Sequence, residues 1–377
     1  MFVLALAYLA FATLALPPSM LGVVWPSMRL SLGQPLSAAG LVPPVGVAAG
    51  LVSTTLAPYL ARRLGLGRVL SLGTFLTAVS LAGCGASTSM WQFLASVALG
   101  GLGAAAVDTT LNMYAARAFG PRQINLLHAS YGVGAAVSPL IVTAVIVSGL
   151  SWRWSYVIVL GLQLAVAVTF AVTWRRWEVA VPAPVAASSH SSRVWSTGSA
   201  LGMGLAAVQN GIESAVATWA FVYLTGLGLS TAAAGGVASG YWLTLVVGRI
   251  AFGSLAERVG AWKVMALAVV LLLVAAALAN VGLAVPATAA VLLFGVAAAP
   301  MYPLLVLTTA ERTSPAVADR VIGFQAAASS IGAAVTPGLV GLALAADLRA
   351  FAGALAALCG LAAALLALMR WQARRRA

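Results

Sequence analysis

The chain has 377 residues, of which 62% are hydrophobic and 7% are charged. Soluble domains carry about 25% charged residues, so this composition excludes a water-soluble domain. Apolar runs of roughly 20 residues recur along the sequence, the length that a helix needs to cross about 30 Å of hydrocarbon. The runs are continuous rather than alternating, which excludes a transmembrane β-barrel and predicts an all-α membrane protein.

Twelve apolar runs are predicted as transmembrane helices. The first six lie at 2–24, 38–60, 66–85, 91–115, 125–147 and 154–174. The other six lie at 196–224, 232–252, 262–283, 288–307, 322–344 and 350–369. The polar stretch between the two sets is rich in Pro, Ala and Ser, which is typical of a linker. The predicted architecture is a six-helix bundle at 1–174, a linker at 175–195 and a second six-helix bundle at 196–377.

The 20 Lys and Arg residues dominate a net charge of +13, and their placement indicates an orientation. Only three of them fall on one predicted side of the membrane: Arg29, Arg153 and Arg349. The other seventeen fall in the alternate loops, at the helix ends beside them, in the linker or in the tail: Arg62, Arg63, Arg68, Arg117, Arg122, Arg175, Arg176, Arg193, Arg249, Arg258, Lys263, Arg312, Arg320, Arg370, Arg374, Arg375 and Arg376. This positive-inside pattern predicts cytoplasmic termini and a multi-pass protein of the cytoplasmic (inner) membrane. It is unlike the basic groove of a nucleic-acid-binding protein, so we expect no nucleic-acid partner.

Short repeats indicate that the two halves arose by duplication. GAAVSP at 134–139 recurs as GAAVTP at 332–337, an offset of 198 residues. RLG at 63–65 recurs as RVG at 258–260, an offset of 195 residues. Because six spans are an even number, both copies enter the membrane from the same side. Such parallel repeats predict a substrate site near the bilayer midplane, at the repeat interface.

Two acids lie inside predicted spans, Asp108 in the first half and Glu213 in the second. Intramembrane acids are rare and usually line a transport pathway, although a structural acid paired with a helix or a buried water is the alternative. Loss of hydration disfavours the charged carboxylate, so each acid can take up a proton near neutral pH. Asn112 lies one helical turn after Asp108, and Gln209 and Asn210 lie one turn before Glu213. We therefore predict proton coupling and substrate contact at the two acids, with these amides binding substrate hydroxyls.

Four further residues are candidates for the site. Trp219 and Tyr241 lie nearest to mid-span among the aromatic residues, where rings can stack on a polar metabolite. Gln325 in the eleventh span is a weaker candidate for hydrogen bonding to substrate. His128 lies near the start of the fifth span and could relay protons. The alternative is that it has no function, because a polar residue near the membrane edge costs little free energy.

The loop after the eighth predicted span reads GSLAERVGAWKVM and resembles the cytoplasmic loop signature of the major facilitator superfamily. In that signature a Gly, an acid, an Arg, a second Gly and a basic residue recur at fixed spacing. The matching residues are Gly253, Glu257, Arg258, Gly260 and Lys263. The resemblance implies a cytoplasmic gate whose ion pairs break during transport, and a plain positive-inside loop is the alternative. The first-half copy, PYLARRLGLGR, departs from the signature, because Pro58 replaces the first Gly and Arg62 replaces the acid.

Four longer stretches resemble the fucose:proton-symporter-like branch of the same superfamily. They are LGVVWPSMRLSLGQPLSAAG, GLGAAAVDTTLN, NLLHASYGVGAAVSPL and QNGIESAVATWAFVYL. The resemblance implies a twelve-helix transporter that couples to protons and carries sugars or related polar metabolites. One departure matters: that branch has an acid in the first helix, where this chain has Pro17, Pro18 and Ser19. Any coupling acid must therefore lie elsewhere.

The small-residue runs GVGAAVSP and IGAAVTP are interpreted as helix-packing surfaces, because Gly and Ala allow close approach and Pro gives kinks. They lack the Gly-x-x-x-Gly-Pro pattern of antiporters, which disfavours a drug exporter.

The function predicted from the sequence is proton-coupled transport of a small polar metabolite by alternating access. An exporter of drugs or amphipathic compounds is the main alternative, and a membrane receptor that does not transport is a weaker one. We expect no enzyme activity, no cofactor and no metal site, because neither a catalytic constellation nor metal-ligand spacing is apparent. The sequence has no nucleotide-binding Gly-x-x-x-x-Gly-Lys run, so ATP is not expected to drive transport. The expected partners are the substrate, protons and the lipid bilayer, and the expected state is a monomer.

Overall fold

The computed structural model describes residues 1–178, 195–313 and 315–376, and in these ranges the regular structure is helical. The contacts between residues divide the chain into two compact units, Met1–Val185 and Ala186–Ala377. Most of the predicted linker at 175–195 lies outside the described residues.

The N-terminal unit has six long helices and two short 3-10 helices. The long helices are α1 (Phe2–Ser31), α2 (Val42–Leu64), α3 (Leu66–Ala86), α4 (Met90–Ala118), α5 (Pro121–Val147) and α6 (Arg153–Thr173). One 3-10 helix, Leu36–Leu41, leads into α2, and the other, Trp174–Trp177, follows α6. The latter covers the start of the predicted linker. Its Trp177 is fully buried, with its ring 4.9 Å from that of Tyr114 and 5.0 Å from that of Phe170.

The C-terminal unit has eight α-helices in its described residues. They are α7 (Thr197–Gly226), α8 (Thr231–Val259), α9 (Ala261–Asn280), α10 (Ala284–Ala298), α11 (Met301–Leu307), α12 (Thr309–Arg312), α13 (Pro315–Ala346) and α14 (Leu348–Arg376). The predicted tenth span is broken into α10 and α11 at Pro300, because proline cannot donate the backbone hydrogen bond that a continuous helix needs there.

Ten helical segments in the described residues are long and apolar enough to cross a membrane. They are α1, α2 with its 3-10 helix, α3, α4, α5, α6 with its 3-10 helix, α9, α10 with α11, α13 and α14. Helices α7 and α8 have 30 and 29 residues but are not among the ten. These two helices carry Glu213, Gln209, Asn210, Trp219 and Tyr241 of the predicted site, whereas Gln325 lies on α13. The number of twelve spans and the cytoplasmic location of both termini therefore stay predictions.

Backbone geometry supports the internal repeat. Gly65 ends α2 with φ +86°, and Gly260 ends α8 with φ +92°. Gly33 and Gly228 also have positive φ, at +62° and +91°, in the loops before the corresponding helices. Both pairs are 195 residues apart, the offset found between RLG and RVG. Glycine is the default residue in the left-handed region, so each unit uses glycine for the same two turns.

The two small-residue runs pack helices together, as the sequence predicted. A Cβ on Gly134 of α5 would lie 2.0 Å from the Ala12 carbonyl oxygen of α1. A Cβ on Gly332 of α13 would lie equally close, at 2.0 Å, to the Ala207 carbonyl oxygen of α7. Ser138 secures the first crossing by donating its hydroxyl to the Leu16 carbonyl at 2.6 Å. Each unit thus has a tight crossing in which the backbones touch.

Gly332→Ala is expected to destabilise the C-terminal unit, because the new methyl would force α13 away from α7. Overpacking of this kind costs roughly 1–3 kcal/mol, and the backbone contact puts this site at the upper end. Gly323→Ala is the matched control, since Gly323 lies on the same helix with open space around it. The control should be neutral or slightly stabilising. Thermal unfolding of the purified variants in detergent compares the two, and equal melting temperatures would contradict the packing role.

Candidate functional site

A carboxylate cluster lies inside the C-terminal unit, where α7 packs against α8. Gln209 donates from Nε2 to Glu213 Oε2 at 3.1 Å, one helical turn away on the same face. Arg249 Nη2 of α8 lies 3.9 Å from Glu213 Oε1. Tyr241 donates its hydroxyl to the Glu213 backbone carbonyl at 3.0 Å. The Glu213 side chain is 15% exposed, so little water reaches its carboxylate. The protein groups around it therefore provide most of its hydrogen bonds and its counter-charge.

The helical repeat explains how α8 presents this face. Tyr241, Leu245 and Arg249 are spaced by four residues, which places them along one side of the helix. Tyr241 and Leu245 are buried, whereas the side chain of Arg249 is 50% exposed. This side of α8 is therefore packed at Tyr241 and Leu245, and it leaves the guanidinium of Arg249 accessible beside Glu213.

Arg249 is a member of the Glu213 cluster that the sequence does not predict as a site residue. The predicted eighth span ended at residue 252, so Arg249 was counted as a charge flanking the cytoplasmic loop. The structure corrects this, because α8 continues to Val259 and places Arg249 ten residues inside the helix. The signal was present in the sequence, since an Arg within an apolar run needs a counter-charge and Glu213 is the acid inside α7.

The two amides near Glu213 also join helices. Gln209 Nε2 lies 3.3 Å from the Ala298 carbonyl of α10, and its Oε1 is buried without a hydrogen-bond partner among the described residues. Asn210 donates to the Ser329 carbonyl of α13 at 3.2 Å. Gln209 therefore belongs to the Glu213 cluster, whereas the amide nitrogen of Asn210 is engaged with α13.

The predicted aromatic residues are buried. Trp219 is fully buried and donates its indole N–H to the Pro337 carbonyl of α13 at 2.7 Å. Tyr241 is 1% exposed, and its hydroxyl holds the backbone of Glu213. This geometry gives both residues a packing role in the structure described. Their contact with substrate stays a prediction.

Trp219→Phe is expected to lower the stability of the C-terminal unit, because the Pro337 carbonyl would lose its buried partner. Leaving one buried acceptor unpaired costs about 1–3 kcal/mol. Trp91→Phe is the control, since Trp91 is 80% exposed. Thermal unfolding measures both variants. An unchanged melting temperature with altered substrate selectivity would instead assign Trp219 to the binding site.

Gln325 belongs to a different cluster, near the start of α13. Its Oε1 accepts from Thr309 Oγ1 at 3.1 Å. Arg312 is buried beside it and donates to the Leu305 carbonyl at 2.6 Å and to Thr309 Oγ1 at 3.0 Å. Burial lowers the pKa of the Arg312 guanidinium to about 10. These contacts join α11, α12 and α13, and Gln325 has no described contact with Glu213.

The N-terminal unit has its own polar cluster on α4 and α5. Asn112 donates from Nδ2 to the Asp108 carbonyl at 3.0 Å and to Oδ1 of the Asp108 carboxylate at 3.3 Å. His128 of α5 interacts electrostatically with the Asp108 carboxylate. Its ring meets Phe11 of α1 edge-on, with centroids 5.5 Å apart. Asp108 and His128 are exposed in the structure. His128, a separate candidate in the sequence, thus belongs to the same polar cluster as the predicted pair of Asp108 and Asn112.

The predicted gate motif lies at the turn from α8 to α9. Gly260 ends one helix and begins the next with positive φ. The charged residues of the motif are exposed: Glu257, Arg258 and Lys263. Its first residue, Gly253, is exposed on α8 with no atom near its missing Cβ. Trp262, which lies within the span of the motif at the start of α9, donates its indole N–H to Glu311 Oε2 at 2.9 Å and so joins α9 to α12.

Solved transporter structures share this fold. The nucleoside transporter NupG aligns with a TM-score of 0.75 and 14% identity, over 98% of this chain and 98% of its own. A bacterial homologue of the human lysosomal transporter Spinster, inward-facing and occupied, aligns with a TM-score of 0.75 and 14% identity, over 99% and 95%. A mutant of the peptide transporter POT, in complex with sulfate, aligns with a TM-score of 0.76 and 12% identity, over 98% and 94%. At these identities the likenesses show the fold alone.

The family is shown by the sequence itself. The family profile described as Major Facilitator Superfamily matches residues 1–279, which is more than half of the chain. No curated protein matches the chain closely enough to count as a relative. The described residues contain no group of three His, Cys, Asp or Glu side chains placed to hold a metal ion. The chain belongs to the Major Facilitator Superfamily.

Proposed function

We propose that the chain is a proton-coupled secondary transporter that moves a small polar metabolite across the cytoplasmic membrane by alternating access. One observation carries the proposal: each unit holds a carboxylate within a long helix, an amide one turn away and a basic residue on the next helix. The groups are Asp108 with Asn112 and His128, and Glu213 with Gln209 and Arg249. A carboxylate with both a neutral and a basic partner can gain or lose a proton without losing all its contacts.

The two acids have the same role in this proposal. Asp108 and Glu213 exchange protons and contact the substrate, and the amides of Asn112 and Gln209 hydrogen-bond to its polar groups. His128 passes protons to or from Asp108, because it is exposed and lies within electrostatic range of the acid. Trp219, Tyr241 and Gln325 hold the helices of the C-terminal unit in place.

The remaining parts of the proposal follow the charge pattern and the resemblances. Both termini are cytoplasmic, and the gate motif at 253–263 controls access from that side. The chain works as a monomer. A sugar-like substrate follows from the resemblance to the fucose:proton-symporter-like branch, and the nucleoside and peptide transporters among the structural neighbours also carry polar metabolites by name.

Uptake into proteoliposomes under an imposed pH gradient tests the proposal. Purified protein is reconstituted, and labelled sugars, nucleosides and organic acids are offered with and without the gradient. At least one polar compound should accumulate in the presence of the gradient and should lose that accumulation when a protonophore is added. Accumulation that ignores the protonophore would contradict proton coupling. Gradient-driven movement of amphipathic dyes in place of polar metabolites would favour an exporter.

A further inference from the structure

Arg249 is a cation inside a long helix whose hydrogen-bonding capacity is largely unused. Its Nη2 lies 3.9 Å from Glu213 Oε1, whereas hydrogen bonds between a guanidinium and a carboxylate are about 2.7–2.9 Å long. Its side chain is 50% exposed, and no hydrogen bond joins it to another residue in the described ranges. The guanidinium is therefore held near the acid by charge without being saturated by it.

The position of this cation within its helix is unusual for a charged residue. Arg249 lies ten residues before the end of α8, about 15 Å along the helix axis from that end. Charged residues inside a membrane span are rare and are usually paired with an opposite charge or placed along a transport pathway, and Arg249 lies within the predicted eighth span. The charge of Arg249, half-exposed beside Glu213, points to a role beyond packing.

Glu213 can release Arg249 without losing all its partners. Its Oε2 is bound by Gln209, which is neutral and stays in place whatever the charge of the acid. The titratable groups that face Glu213 in the described residues are Arg249 and Tyr241, both on α8. Once Glu213 takes up a proton, its attraction for the guanidinium falls. The planar guanidinium of Arg249, which already faces the carboxylate of Glu213, is then available to bind another carboxylate.

We propose that Arg249 binds the carboxylate of the transported metabolite, so that the substrate is a small hydroxylated or otherwise polar monocarboxylate. The inference rests on the proposed function, since it takes Glu213 as a coupling acid. Substrate carboxylate and Glu213 carboxylate compete for one guanidinium. Binding of the anion is therefore accompanied by uptake of one proton at Glu213, and the charge at the site is unchanged.

Matched neutral and anionic compounds test this inference in proteoliposomes with an acidic exterior. The pairs are glucose with glucuronate, lactamide with lactate, and nicotinamide with nicotinate. At least one anion should accumulate at least about tenfold more than its neutral partner, and Arg249→Gln should remove that preference, as expected for truncating a charge pair. Arg249→Lys should keep part of it. Arg349→Gln, at an exposed arginine of α14, is the control and should behave as the unchanged protein.

The outcomes separate this inference from the function on which it rests. Gradient-driven uptake of neutral members alone would overturn the anion site and leave the proposed function standing. Anion uptake that survives Arg249→Gln would also overturn the site. Absence of gradient-driven uptake for both members of every pair would contradict both proposals. If Arg249→Gln fails to fold, as judged by thermal unfolding, Glu213→Gln replaces it: anion binding should then no longer weaken from acidic to neutral buffer, and a wild-type pH dependence would overturn the site.

Discussion

Glu213→Gln is expected to abolish uptake driven by a proton gradient while leaving exchange of labelled for unlabelled substrate in place. Glutamine has the shape of a protonated glutamate and can keep the contact with Gln209, so binding survives. It cannot release a proton, so the gradient can no longer do work on the substrate. Proteoliposome uptake with the gradient should fall to that of empty liposomes, and exchange without the gradient should remain within a few-fold of the unchanged protein.

Asp319→Asn provides the control for this experiment, since Asp319 is an exposed acid on α13. It should keep both gradient-driven uptake and exchange. Thermal unfolding of Glu213→Gln is needed beside it, because the substitution leaves Arg249 without its counter-charge. A folded Glu213→Gln protein with full gradient-driven uptake would remove Glu213 from the coupling mechanism.

Asp108→Asn should have an effect of similar size in the N-terminal unit. Asp108 is the one acid that lies within a long helix among the described residues of this unit. Asparagine can still bind Asn112 but cannot titrate, so gradient-driven uptake should fall to background.

His128→Gln should slow uptake without abolishing it, because protons can still reach Asp108 through water. The initial rate of uptake in the gradient measures both variants.

The two acids can be distinguished by the pattern of results. Loss of gradient-driven uptake in Glu213→Gln, with full uptake in Asp108→Asn, would place coupling in the C-terminal unit alone. The reverse pattern would place it at Asp108. Equal rates in His128→Gln and the unchanged protein would leave His128 with an interfacial role beside Phe11.

Much of the architecture could be predicted from the sequence, because hydrophobic length and local repeats depend on neighbouring residues in the chain. The recurrence of RLG as RVG led to Gly65 and Gly260, which have the same positive-φ turn. The recurrence of GAAVSP as GAAVTP led to Gly134 and Gly332, where backbones touch. In each case one short motif reports a steric requirement that only glycine meets.

The contacts of the site were harder to predict, because they depend on which face of each helix meets a neighbour. Trp219 and Tyr241 are residue types expected in a sugar site, but both are buried. The indole N–H of Trp219 donates to a carbonyl of α13, and the hydroxyl of Tyr241 donates to a carbonyl of α7. Arg249 lies near the cytoplasmic end of the predicted eighth span, and only the structure shows that α8 continues for seven residues beyond that end. Trp177 follows two arginines at the start of a polar stretch, and only its ring contacts reveal that it is buried.

The movement of protons with the substrate is the most direct test of the account. A pH-sensitive dye is trapped in proteoliposomes without an imposed gradient, and a transported compound is then added outside. The unchanged protein should acidify the lumen as substrate enters, and a double variant, Asp108→Asn with Glu213→Gln, should bind substrate without changing the dye signal. Substrate entry without any pH change in the unchanged protein, or an undiminished pH change in the double variant, would contradict coupling through these two acids.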